Sequence, residues 1–226
     1  MNKKLINWIG LLGVAALISY ATAAYFCRAA FPGYNWMESA VSDLSARTAP
    51  SSPLWDKLSA VFSVGIVCDT CVAIYVSDKK ISSKLFRVGI YMFIIKSWIS
   101  ELGYAMFPLD DAGKEISGIN ETMHMIVTAF VVGLSVISLI ILIIAGIKRK
   151  EVRDIGIWAA VSFVMMLMGP VGMASFPPEY FGIAERFSIY AANIFSAILG
   201  LYLFNGFRKA LTSENPGDGV VHWGRG

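Results

Sequence analysis

Apolar residues run along this chain in six long stretches separated by short polar connections. The stretches cover residues 5–26, 54–76, 85–107, 122–147, 152–175 and 182–207. At about 1.5 Å per helical residue, each can cross a hydrocarbon core of about 30 Å. The pattern predicts an all-α fold, a polytopic membrane bundle of six transmembrane helices within residues 1–210. Residues 211–226 contain Asn-Pro-Gly-Asp-Gly and little that could pack, so they are expected to form a mobile tail carrying His222.

The polar connections repeat. Phe107-Pro108 is matched by Phe176-Pro177 and, more faintly, by Phe31-Pro32. Gly118-Ile119-x-Glu121 is matched by Gly182-Ile183-x-Glu185. A proline just beyond a helix is an ordinary stop signal. Its recurrence suggests three tandem helical hairpins in parallel repetition.

Charge gives the bundle an orientation. Of the chain's Lys and Arg residues, twelve fall on one side: Lys3, Lys4, Lys79, Lys80, Lys84, Arg87, Lys148, Arg149, Lys150, Arg153, Arg208 and Lys209. Five fall on the other: Arg28, Arg47, Lys57, Lys114 and Arg186. The basic side of a membrane protein is cytoplasmic. Both termini are therefore expected in the cytoplasm of a prokaryotic cell, with the protein in the plasma membrane and the long 27–53 loop outside. A cleaved signal peptide is the competing reading of the first stretch, because Ala21-Thr-Ala23 looks like a cleavage site. The apolar run exceeds the roughly 7–15 residues of a signal core, which favours a retained helix.

Composition agrees with this class: 56% of the 226 residues are hydrophobic and 15% charged, against about 25% charged in soluble domains. Cys27, Cys68 and Cys71 form no disulfide framework. Cys68-x-x-Cys71 has redox spacing, but it lies deep in an apolar run beside Asp69, where a thiolate is disfavoured. Haem held between helices needs axial ligands, usually His-His or His-Met, and with one histidine in a helix a multi-haem cytochrome is excluded. No phosphate-binding loop, dinucleotide fingerprint or nucleophile elbow is present. The basic residues serve as topology signals, so nucleic acid is not an expected partner.

Ionisable groups inside a spanning helix cost about 2.5–3.5 kcal/mol each on insertion scales, so they usually face a protein interior or water. Here they are Asp69, Lys96, Glu101, His124, Glu185 and Arg186, with Asn193 deeper in the last stretch. Counting helical rise from the outer side puts His124 and Glu185 within about 5 Å of the surface and Glu101 near ~9 Å. The same count puts Lys96 and Asn193 near ~16 Å and Asp69 near ~22 Å. Lys96 can reach either acid, and a structural ion pair is one expectation. Ser97, Glu101 and Tyr104 share a helix face. In the first outer loop, Glu38, Ser42 and Ser45 lie at helical spacing, with Asp43 placed to cap backbone or to lie over a cavity mouth.

In the order of these features the chain resembles a family known as domain of unknown function 998, small bacterial and archaeal six-helix membrane proteins. The resemblance rests on Phe31-Pro32 with Ser42-Asp43-Leu44, on Phe107-Pro108-x-Asp110 followed by His124, and on Gly182-Ile-Ala-Glu185-Arg186. It covers about residues 5–207 and extends, more distantly, to eukaryotic six-helix proteins linked to lipid remodelling and autophagy. It implies that Asp43, Asp110, His124, Glu185 and Arg186 occupy recurring family positions, and it carries no activity.

Three functions are open on these residues. The leading one binds or senses a membrane lipid or other amphipathic molecule in an outward-opening polar cavity. Its ligand-binding residues would be Asp43, Lys96, Glu101, His124, Glu185, Arg186 and Asn193, with Arg186 and Lys96 on an anionic headgroup. The second is a membrane-embedded hydrolase with His124, Asp43 and Glu185 as catalytic residues. One divalent metal on those same three is an option there, although catalytic zinc usually takes more than one histidine. The third is a proton- or ion-coupled transporter using Asp69, Lys96 and Glu101.

Overall fold

The computed structural model describes residues 3–113 and 118–214, with side chains to residue 211. Lys114, His222 and the expected tail from residue 215 onward lie outside the described residues. Within them the fold is helical: α1 (Leu5–Ile9), α2 (Leu11–Phe26), α3 (Ser52–Leu58), α4 (Gly65–Asp78), α5 (Lys84–Met106), α6 (Ile119–Lys148), α7 (Arg153–Ser175), α8 (Phe181–Phe204) and α9 (Arg208–Glu214). The last of these takes in the first residues of the expected tail.

Four segments are long and apolar enough to cross a membrane: Leu5–Ala30, Ile119–Lys148, Lys150–Ser175 and Pro178–Phe204. α5 has 23 residues, but Lys96 and Glu101 interrupt its apolar run. The second predicted stretch departs from a single helix. It breaks between α3 and α4, where Phe62, Val64 and Gly65 donate to carbonyls three residues back rather than four. The cause is a long-range contact: the Ser19 hydroxyl donates to the Leu58 carbonyl at 2.5 Å, taking an acceptor that a continuous helix would use. The first stretch is interrupted too, at Gly10.

The helices close into a ring. α2 packs on α4, α4 on α5, α5 on α6, α6 on α7, α7 on α8, and α8 returns to α2 while also touching α4. The pairs expected as hairpins are neighbours, and so are the helices that link one hairpin to the next. The largest core cluster includes Val72 and Val76 of α4, Ile90 and Phe93 of α5, Leu139 and Leu142 of α6, and Phe195 and Leu199 of α8. The outward surface is apolar as well, with Ile18, Ile74, Phe130 and Val164 exposed. A soluble protein avoids such a surface, but lipid tolerates it.

Two local solutions hold the ring tight. Pro170 sits inside α7 and has no N–H for the Met166 carbonyl. The Ser188 hydroxyl of α8 donates to that carbonyl at 2.5 Å and accepts from the Gly169 N–H at 3.1 Å. At the other seam the chain passes so close at Gly10 that a Cβ there would lie 2.3 Å from the Gly200 carbonyl oxygen. Only glycine permits that approach. Asn7, buried beside it, donates to the Leu203 carbonyl at 2.8 Å.

Candidate functional site

The polar residues of the helices gather into a chamber within the ring. A cavity of about 60 Å³ is lined by α2, α4, α5 and α8, with Asp69, Lys96, Ser97, Glu101, Asn193 and Ser196 on its wall. Liquid water takes about 30 Å³ per molecule, so a pocket of this size with polar side chains on its wall has room for one or two waters. Asp69 is 3% exposed and Lys96 5% exposed. Ser196 of α8 donates to the Asp69 carboxylate at 2.5 Å. The Lys96 ammonium lies over the Phe93 ring, 4.1 Å from its centre. Among the described residues it makes no hydrogen bond and no ion pair. The expected ion pair is thus not formed: Asp69 is held by Ser196, and Lys96 by the aromatic face and the cavity. The Asn193 amide nitrogen is also buried without a partner.

An aromatic cluster and a glycine seam flank the chamber. Toward the outer loop, Phe62 on the chamber wall packs against Tyr20, with ring centres 4.9 Å apart. Tyr20 also meets Trp55 and Tyr190 edge-on, at 5.5 and 6.0 Å. Val41, from the loop, is buried in this same aromatic cluster. Toward the other end, the Gly10–Gly200 seam lies below Gly13, and the buried Cys68 thiol points at the Gly10 carbonyl at 3.6 Å. The three cysteines are free.

The loop after α2 forms a strap over the start of α8, not an interfacial helix. Its regular structure between Phe31 and Ala46 is one 3₁₀ turn, Ser42–Ser45. Glu185 and Arg186, at the start of α8, pin it. The Glu185 carboxylate accepts the Val41 N–H at 2.8 Å. Arg186 donates to the Ser39 and Gly182 carbonyls at 3.1 and 2.8 Å, and to the Tyr34 hydroxyl at 2.6 Å. Tyr34 passes its own proton to the Ala40 carbonyl at 2.7 Å. Burial pushes the Tyr34 hydroxyl up to about 12, partly opposed by Arg186, so it stays neutral and keeps that donor. Gly182 makes the contact possible, since a Cβ there would meet the Ser39 and Trp36 carbonyls at 2.5 and 2.7 Å.

The other half of the strap is tied to the loop after α5. Asp43 accepts the Ala40 and Gly113 N–H groups, each at 3.1 Å. Burial raises its carboxyl above the usual range, opposed by those two N–H groups and by Arg186. Arg47 pairs with Asp110 at 3.1 Å, and Asp110 also receives Asn120.

These bonds revise several expected roles. Asp43, Glu185 and Arg186 lie at the strap and do not line the cavity that holds Asp69, Lys96, Glu101 and Asn193. Arg186 spends its guanidinium on the strap, not on a headgroup. His124 is held by its Nδ1 at 2.9 Å from the Phe107 carbonyl and lies against the Tyr104 ring, 4.7 Å between centres. Tyr104 in turn bonds to Thr128 at 3.0 Å. Asp43, His124 and Glu185 do not form a metal centre: among the described residues no three His, Cys, Asp or Glu side chains are placed to hold an ion. Each is bonded to backbone: His124 at Phe107, Asp43 at Ala40 and Gly113, and Glu185 at Val41. Ser196 had no place in the expected site, although its spacing of three residues from Asn193 marks it as sharing that helix face.

The family described as a protein of unknown function (DUF998) has a model that matches residues 14–202, and the chain belongs to that family. The match takes in the strap and the three charged residues of the chamber. No curated protein and no solved structure matches the chain.

Charge-assisted hydrogen bonds contribute about 1.5–3 kcal/mol each, and Arg186 makes three to the strap and its own helix. Arg186→Gln is expected to lower thermal stability by several degrees. It should also raise the labelling rate of a cysteine placed at Ser39 at least fivefold. Unchanged labelling would mean that the strap is held by something else.

Proposed function

We propose that this member of the DUF998 family is a multi-pass transporter that couples solute movement to a proton, with Asp69, Lys96 and Glu101 as its charge-bearing groups. The observation that carries the reading is the Lys96 ammonium: buried, without a hydrogen bond, on a cavity that two carboxylates also line. A structural lysine in an apolar bundle would be expected to sit in an ion pair with its remaining protons satisfied. A buried lysine facing a polar cavity is suited to gaining and losing a proton. A carrier must pass through a state in which its site reaches neither side, and the aromatic cluster and the glycine seam are candidates for the two barriers.

The topology that goes with this function is six passes with both termini on the basic, cytoplasmic side. α4 has 14 residues, about 21 Å at the helical rise, and completes its crossing with the broken 59–64 segment. The strap then lies on the outer face of the membrane.

A lipid has a different place to bind. An open apolar groove of about 540 Å³ lies between α2 and α3, lined by Thr22, Phe26, Ala29, Ala30, Leu54 and Leu58. It suits an acyl chain, whereas the chamber is too small for a headgroup with its tail. A lipid that copurifies is read here as an occupant of that groove.

In vesicles of equal salt inside and out, the purified protein should dissipate an imposed pH gradient at least tenfold faster than protein-free vesicles. Asp69→Asn should remove most of that difference. A wild-type rate equal to the empty vesicles would overturn the proposal. For the topology, a cysteine at Glu38 in a cysteine-free background should react with an impermeant reagent on intact cells. One at Lys150 should react only after permeabilisation, and the reverse pattern would invert the orientation.

A further inference from the structure

We infer that the basic end of the bundle is a docking surface for anionic phospholipid headgroups, built by the turn after α4 and the turn after α6. The inference rests on the membrane reading alone and is independent of the transport proposal.

The two turns are fastened together. Residues 79–83 join α4 to α5, and residues 149–152 join α6 to α7. The Ser82 hydroxyl of the first turn donates to the Glu151 carboxylate of the second at 2.9 Å. α9 packs against the second turn. Lys84 opens α5 and Lys148 closes α6, so both stand beside these turns.

The acids of this end are already engaged. Asp78 pairs with Lys79 at 2.8 Å, Asp154 pairs with Lys209, and Glu151 holds Ser82. Lys80, Lys84, Lys148, Arg149, Lys150 and Arg153 are left over. All six are exposed, and among the described residues none of them forms an ion pair. Six uncompensated positive charges on two adjoining turns make a strong field for anions.

The neighbouring surface selects the occupant. Ile147, Ile157 and Trp158 are exposed on α6 and α7, and Trp158 lies only ~8 Å along its helix from Arg153 at the helical rise. Tryptophan at that depth marks a membrane–water interface. The basic residues therefore stand at the level of lipid phosphates, and the apolar belt begins directly beside them. An amphiphile with a negative headgroup matches both surfaces, whereas a soluble acidic peptide would leave the belt uncovered. Clusters of four to eight Lys and Arg beside spanning helices attract anionic lipid in this way. The groove between α2 and α3 lies at the opposite end and has no charged residue on its wall, so it holds lipid without regard to headgroup charge.

The test incubates purified protein with equal amounts of phosphatidylglycerol and phosphatidylcholine of identical acyl chains, in mixed micelles. Retained lipid is then counted by mass spectrometry. Wild-type protein should retain phosphatidylglycerol at least fivefold over phosphatidylcholine, and the preference should shrink as salt screens the exposed charges. Replacing Lys148, Arg149 and Lys150 together by Gln should cut the preference at least threefold. Lys80→Gln with Lys84→Gln, on the other turn, should cut it by a similar factor. Lys57→Gln, at the opposite end, should leave it unchanged. All variants are compared as monodisperse species on size exclusion. Equal retention of the two lipids by the wild type would overturn the inference, as would a full preference in both sets of Gln variants. Displacement of phosphatidylglycerol by inorganic phosphate at constant ionic strength would assign the patch to a soluble anion and overturn the lipid.

Discussion

The fold is organised around one expensive act, the burial of an ammonium and a carboxylate inside an apolar helix ring. Each intramembrane charge costs a few kcal/mol to insert. Pairing usually recovers part of that cost, but only with good geometry and satisfied protons. Here the recovery is incomplete. Asp69 is satisfied by Ser196, while Lys96 leans on the Phe93 ring and faces the cavity. A cation over an aromatic face gains about 2 kcal/mol when desolvated, and the cavity leaves room for water to solvate the rest. The buried lysine gives the cavity its chemistry.

Two tight packings flank that chamber. On one side the backbones of the first segment and α8 touch at Gly10 and Gly200, which leaves no space for water between them. On the other, Phe62, Tyr20, Trp55 and Tyr190 stack beneath Val41. The strap is held by Glu185 and Arg186 of α8, and its own Asp43 and Arg47 tie it to Gly113 and Asp110. The break at residues 59–64 belongs to the same region, since Phe62 lies inside it. A segment held by three-residue turns opens more easily than a regular helix, having fewer well-formed backbone bonds to lose. The strap ties α8 to the loop between α5 and α6, so a change at the chamber has a mechanical route to the mouth.

Much of this was legible in the residues. The apolar runs place the helices to within a few positions, because period and length are written in composition. Asp69, Lys96, Glu101 and Asn193 stand out as polar residues in apolar stretches, and they do share one chamber. Glu185, Arg186 and Asp43 stand out too, but their roles were hidden. Their partners are backbone groups of residues 39–41 and 113, and a backbone amide has no sequence signature. The break after Leu58 was hidden for a related reason, since it depends on Ser19, far away in the chain. His124 invited a catalytic reading by being the lone histidine of the bundle, whereas its ring serves the carbonyl that ends α5. The aromatic cluster is invisible in sequence because Tyr20 and Phe62 look like any other lipid-facing residues.

The most direct measurement is nitrogen NMR of the lysine side chains, in protein labelled at the ε-nitrogen and held in lipid nanodiscs. The Lys96 signal is assigned by its loss in Lys96→Arg. The account predicts one lysine that titrates apart from the exposed lysines, and whose titration moves when Asp69 is replaced by Asn. A Lys96 signal indistinguishable from the exposed lysines, and unmoved in Asp69→Asn, would contradict it.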